Sequence, residues 1–180
     1  MTDFMEIITG RRSVRQYADK AVPEELLQQV LEAGRWAQSW ANTQCWEVIV
    51  VRDPSVKAGL MQAIPKGNPS IRCIEGAPVL LALCGQRERS GYYRGAAPTK
   101  FGDWLLFDLG VLTQNIALAA HALGLGSVVL GLFDHDSAKE ILKVPAGYEL
   151  VTLMPLGYPG GETKAPPRRA VSEFSHENAF

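Results

Sequence analysis

A chain of 180 residues with 47% hydrophobic and 21% charged content carries enough apolar mass for one packed domain. Eighteen basic against nineteen acidic residues leave a net charge of -1, which excludes an overall positive field for nucleic acid or anionic lipid and makes any anion site local. Cys45, Cys73 and Cys84 form no Cys-x-x-Cys pair, and His121, His135 and His176 are equally scattered; no metal centre or dithiol chemistry is expected, and the thiols read as free and buried.

Phe4 to Thr9 spaces its apolar residues as a short helix does, ends at Gly10 and opens into Arg11-Arg12-Ser13-Val14-Arg15. Pro23 suits the first turn of a second helix, where its missing N–H costs nothing. Leu26, Leu27, Val30, Leu31, Ala33 and Ala37 form its buried stripe, with an end near Gln38. Trp46 to Val51 and Pro78 to Cys84 read as central strands, with helical periodicity from Ser55 to Ile64 between them. Gly85 to Lys100 is polar and glycine-bearing, a loop with the character of a lid.

Phe101 to Leu123 is the longest helical candidate and is apolar almost all round. A membrane span is the alternative, but Asp108, Gln114 and Asn115 at its middle are expensive in hydrocarbon without partners. Burial on several sides explains the pattern better, with a second copy of the chain covering the far face, so a homodimer is expected. Gly124-Leu125-Gly126 then reads as a helix end. It is not a dinucleotide fingerprint, because Val129 stands where a third glycine would and the glycines follow a helix instead of a strand. Ser127 to Leu132 is β-rich, Asp134 to Leu142 helical and Tyr148 to Leu156 a further strand, and the tail from Gly157 is rich in Pro and Gly. This succession predicts one domain over 1–180, an α+β or α/β layered sandwich. The early residues Met1 to Glu6 carry acids and no basic-then-apolar signal, so a cytoplasmic location is expected.

Three guanidiniums and a hydroxyl within five residues, at Arg11, Arg12, Ser13 and Arg15, match phosphate oxygens bidentately, although such a run alone also reads as a solvated loop. Ser39, Asn42 and Gln44, with Trp40 and Trp46, offer donors and acceptors suited to the edge of a heteroaromatic ring, or equally to ordinary turns. Pro155 to Pro159 and Pro166-Pro167-Arg168-Arg169 supply a rigid turn and two more cations, or a charged tail. No Ser-His-Asp, P-loop or paired-carboxylate pattern stands out, which points to cofactor chemistry.

Taken in order, these segments resemble the nitroreductase superfamily. The resemblance rests on the arginine run, Ser39-x-x-Asn42-x-Gln44-x-Trp46, the helix from Asp108 through Gln114-Asn115 to Ser127, Pro155 to Pro159, and Arg168-Arg169. It covers nearly the whole chain. It implies an α+β sandwich with a small mixed sheet wrapped by helices, assembled as a homodimer with FMN at each end of the interface. By resemblance, Arg11, Arg12 and Ser13 contact the phosphate and ribityl chain, and Arg15 lies near the N1–C2 edge of the flavin, where a cation stabilises the reduced ring. Ser39, Asn42 and Gln44 approach the ring, partly from the neighbouring subunit. Leu130 and Gly131 present backbone over N5, and Arg168 and Arg169 close on the phosphate. Cys45 and Gln38 depart from the pattern at positions where relatives usually carry proline. Trp40, Tyr92, Tyr93, Phe101 and Phe133 are candidates for the acceptor wall.

The activity so implied is transfer of hydride from NADH or NADPH through FMN to a small electron-poor acceptor, a nitroaromatic, quinone or flavin, in a ping-pong cycle without a dedicated protein acid. Other flavin reactions on the same fold, such as dehalogenation, dehydrogenation or flavin breakdown, remain open. So does a flavin-binding module without turnover. No nucleic-acid, membrane or metal partner is expected.

Overall fold

The computed structural model describes residues 3–180; residues 1 and 2, which begin the stretch read for a targeting signal, lie outside it. α1 (Phe4–Gly10) is opened by Asp3, whose carboxylate accepts from the Met5 N–H while the Glu6 side chain returns to the Asp3 N–H. α2 (Glu24–Arg35) follows Pro23 and buries Leu27, Val30 and Gly34. β1 (Trp46–Val51), α3 (Pro54–Gln62), α4 (Ser70–Gly76) and β2 (Val79–Gln86) come next. Then come α5 (Leu105–Ala122), β3 (Gly126–Ser127), α6 (His135–Ile141) and β4 (Tyr148–Gly157).

The four strands pair in the order β1-β2-β4-β3, all antiparallel. Among the described residues, the parallel character expected of a mixed sheet is confined to one isolated bridge, Ser13 with Ser127. Alternation along β2 divides the core. Val79, Leu81 and Leu83 pack with α2 and α5, whereas Leu80, Ala82 and Cys84 pack with residues of α3, α4 and α6. The unbroken apolar run of β2 thus marks a strand covered on both faces, with an irregularity of register between Leu83 and Cys84.

Several expected elements shift. β1 is an edge strand in this chain, not a central one, because among the described residues only β2 pairs with it. α5 starts at Leu105 and not Phe101: Gly102 holds a left-handed backbone (φ 66°), and Asp103 ends the preceding loop by accepting from the Leu105 N–H at 2.9 Å and the Glu88 N–H at 2.7 Å. The predicted strand at 127–132 pairs over Gly126–Ser127 and once more at Leu130 with Leu153.

α5 is long and apolar enough to cross a membrane by length and composition alone, yet Asp108 and Asn115 have protein partners and Gln114 is exposed at the surface. Asn115 donates to the Ala33 carbonyl of α2 at 3.1 Å, and Asp108 is fully buried among donors described below. The helix closes as a Schellman turn. Gly124 (φ 76°) donates to the His121 carbonyl and Leu125 donates to that of Ala120. The Gly124-Leu125-Gly126 run is therefore a helix end, as its order in the sequence predicts.

Candidate functional site

The arginine run leaves α1 as an extended strand pinned to the sheet. Val14 N–H donates to the Ser127 carbonyl at 3.0 Å, and Gly126 leaves no room for a side chain, since a Cβ there would lie 2.4 Å from Val14 Cγ2. Farther along, the Ala18 N–H donates to the Tyr158 carbonyl and the Gly160 N–H to that of Gln16, both at 2.9 Å. The Tyr17 hydroxyl lies between the Val14 and Pro155 carbonyls at 2.8 and 3.1 Å, and burial raises its pKa. These ties start the tail beside the arginines.

The outcome is a cavity of about 110 Å³ lined by Arg11, Arg12, Ser13, Arg15, Thr163, Lys164, Pro166 and Arg168. Cations about 150 positions apart in sequence converge there, and among the described residues none of them forms an ion pair with a carboxylate. Arg12 caps the end of α1 through the Thr9 and Arg11 carbonyls at 2.5 and 2.9 Å, and Arg15 reaches the Ser13 carbonyl at 3.2 Å. Arg169 is not part of the lining; its guanidinium faces the Phe174 ring at 5.7 Å. A second cavity of about 150 Å³ shares Arg11, Arg12 and Thr163 and adds His121 from the end of α5. Burial lowers the His121 pKa, and Arg11 and Arg12 lower it further.

Leu130 and Gly131 lie at the rim of the sheet. The Leu130 N–H donates to the Leu153 carbonyl, and its own carbonyl accepts from the Leu153 N–H at 3.0 Å and the Thr152 hydroxyl at 2.8 Å. A trans peptide points its C=O and N–H in opposite directions, so the Gly131 N–H, with no partner among the described residues, faces away from β4. The Gly131 carbonyl meets the His135 ring at 3.2 Å. Phe133 is buried and stacks on that ring with centroids 4.0 Å apart, so it is a core residue and not an acceptor wall.

The amide loop sits elsewhere. Ser39, Asn42 and Gln44 flank a short 3-10 turn, Trp40–Asn42, in which Ala41, Asn42 and Gln44 hold φ values of 46°, 55° and 46°. Left-handed backbone at non-glycine residues costs roughly 1–3 kcal/mol each and persists only where neighbours over-determine it. Here the Gln44 N–H donates to Ser39 Oγ at 2.9 Å, Gln44 Nε2 to Asn42 Oδ1 at 3.2 Å, and Arg89 Nε to the Thr43 carbonyl at 2.9 Å. The Trp40 N–H donates to both Asp108 oxygens at 3.1 and 3.2 Å. The buried Thr43 Oγ1 has no partner among the described residues. Gln38, Ser39, Trp40, Trp104, Phe107 and Asp108 border a cavity of about 240 Å³.

The two halves stand at opposite ends of α5. Asp108 holds the amide loop, and His121 borders the arginines. Thirteen residue steps of helix separate them, roughly 20 Å at 1.5 Å per step.

The profile of the nitroreductase family matches residues 8–72 and 71–158. The chain belongs to the nitroreductase family. An NADH dehydrogenase of Thermus thermophilus is 33% identical to it over 177 residues, covering 84% of each chain. An NADPH-flavin oxidoreductase of Vibrio harveyi is 28% identical over 185 residues, covering all of this chain and 75% of that protein. The solved structure of an FMN-dependent nitroreductase from Clostridium difficile superimposes with a TM-score of 0.82 at 27% identity, covering 98% of this chain and all of that one.

In this nitroreductase-family chain the Cys45 thiol turns inward to Asp108 Oδ2 at 3.7 Å. Burial first, and then the Asp108 carboxylate, push its pKa up to about 12, and Cys45 is packed in the core. Thr163 and Lys164 are hidden in the sequence because the pairing of residues 16–18 with 158–160 brings them to the arginines, and His121 because the packing of the end of α1 against the end of α5 does. Asp108 read as one polar residue on an apolar helix; its partners are a backbone N–H and a hydroxyl that no spacing announces.

Proposed function

We propose that this protein is an FMN-dependent NAD(P)H oxidoreductase acting on a small electron-poor acceptor, with each site built from two copies of the chain. The observation that carries the reading is the convergence of Arg11, Arg12, Arg15, Lys164 and Arg168 on one small cavity without a carboxylate among them. Guanidinium forks and an ammonium suit a phosphomonoester dianion, and the Ser13 and Thr163 hydroxyls add donors. The donor set therefore fits the phosphate of FMN. The flavin names borne by the relatives support the same cofactor.

When bound, FMN supplies the redox chemistry, taking hydride from NADH or NADPH and passing electrons to a nitroaromatic, quinone or flavin. The chain's own residues bind, orient and shield. Arg11, Arg12, Ser13, Lys164 and Arg168 hold phosphate, and Arg15, next in the run, offers positive charge toward the ring. The free Gly131 N–H is the one donor of the 130–131 pair able to reach outward, because both Leu130 backbone groups are engaged. Arg169, turned to Phe174, is the least engaged of the expected cations.

The amide loop lies too far along α5 to share a ring with the arginines of its own chain. A two-fold dimer that runs α5 against its copy brings Ser39, Asn42 and Gln44 of one subunit toward the arginines of the other. Leu106 and Phe107 of α5, 67% and 57% exposed, and Phe4, Met5 and Ile8 of α1 supply the apolar face for it. A cytoplasmic location belongs to the same reading, since NADH and NADPH are supplied there.

Purified protein is expected to be yellow, to release FMN on heating and to bleach on addition of NADH or NADPH. Arg168→Ala should weaken FMN binding about tenfold or more, the loss of one charge-assisted contact, with Arg169→Ala much milder. A colourless chain that refuses added FMN sinks the reading. Tight FMN binding without bleaching would mark a flavin-binding module instead.

A further inference from the structure

Asp108 is 0% exposed and, among the described residues, forms no ion pair. Its oxygens are satisfied by neutral donors from two other segments: the Trp40 N–H at 3.1 and 3.2 Å, the Ser90 hydroxyl at 2.6 Å and the Cys45 thiol at 3.7 Å. Burying an unpaired carboxylate is costly, and an apolar side chain would complete the helix's packing more cheaply. What the carboxylate supplies is shape.

We propose that Asp108 is the positioning residue for the ring side of the site, locking the 39–45 loop into the form that presents Ser39, Asn42 and Gln44. The identity of what the loop meets rests on the FMN reading; the contacts do not. The loop packs three left-handed non-glycine residues into four positions, a form that relaxes unless held at several points. Asp108 fixes the Trp40 N–H, and the Ser39 hydroxyl fixes the Gln44 N–H. The third hold comes from the segment that also grips Asp108: Arg89 donates to the Thr43 carbonyl, and its neighbour Ser90, itself fully buried, donates to Asp108. One carboxylate thereby joins the amide loop to the polar 87–104 segment. Cys45 belongs to this device: a proline there would leave Asp108 Oδ2 without its thiol contact.

Asp108→Asn keeps the size but turns an amide N–H₂ toward donors. In the flavin-free variant, amide hydrogen exchange at Trp40 and Gln44 should rise about tenfold or more while the β2 amides keep their protection, and the FMN dissociation constant should rise by a similar factor. A merely structural aspartate would lower the melting temperature and leave both readouts unchanged at low temperature, which would overturn the proposal. If Asp108→Asn fails to fold, Ser90→Ala carries the test: it leaves the carboxylate and its Trp40 bond in place and should still raise Trp40 exchange about threefold. Wild-type exchange there overturns the proposal too. A wild-type chain that does not bind FMN defeats the cofactor reading alone, and the exchange measurement then decides on Asp108.

Discussion

His121 shares a cavity with Arg11 and Arg12, and its Nε2 is so close to the end of α1 that a Cβ on Gly10 would lie 2.7 Å away. Burial, then the two guanidiniums, hold its pKa below the ordinary 6.5. Above pH 6.5 the ring is neutral in folded and unfolded chains alike and contributes no pH dependence. As pH falls below 6.5 the unfolded chain binds a proton that the folded chain resists, so stability declines until the folded pKa is passed. The melting temperature of flavin-free protein should therefore drop more between pH 6.5 and pH 5 in wild type than in His121→Asn. Carboxylates common to both proteins cancel in the difference. Superimposable profiles would mean that His121 does not feel the arginines.

Two glycines at the end of α5 separate what an element needs for itself from what it does for the site. A Cβ on Gly124 would meet nothing within 4 Å, but its φ of 76° is left-handed, so Gly124→Ala should cost about 1 kcal/mol of stability in urea melts and leave FMN affinity alone. Gly126→Ala would instead drive a methyl into Val14 and push the arginine strand off the sheet. It should weaken FMN binding by about tenfold or more. Equal effects on affinity would show that the Ser127–Val14 tie does not set the arginine geometry.

The helix end was legible because Gly-Leu-Gly follows a long apolar period, and β2 and β4 because their apolar runs are strong. α4 was not, since seven residues behind Asn68-Pro69 bury only Cys73 and Ile74 and leave no period to read. The edge position of β1 is equally hidden: its residues pack on both faces, and pairing is a property of neighbours. Of the site, the arginine run shows in the sequence as plain charge density. Its meeting with Lys164 and Arg168 does not, because the ties at 16–18 and 158–160 are backbone bonds. Asp108 is hidden for the same reason, its partner being a main-chain N–H 68 residues away.

At the scale of the molecule, the site's two halves and the uncovered apolar face demand one explanation. A single chain leaves Leu106 and Phe107 of α5 and Phe4 and Met5 of α1 largely in water, where burying a Leu or Phe side chain is worth about 1.5–3 kcal/mol. The same chain keeps its amide loop roughly 20 Å along α5 from its arginines. A second copy packed on that face resolves both, so association and cofactor binding should fail together. Leu106→Glu with Phe107→Glu leaves every lining residue of the arginine cavity in place. It should nevertheless run as a monomer in light scattering and bind FMN at least tenfold more weakly, because the partner's ring-side loop is gone. A monomer that kept wild-type FMN affinity would confine the whole site to one subunit and leave the amide loop without a part in it.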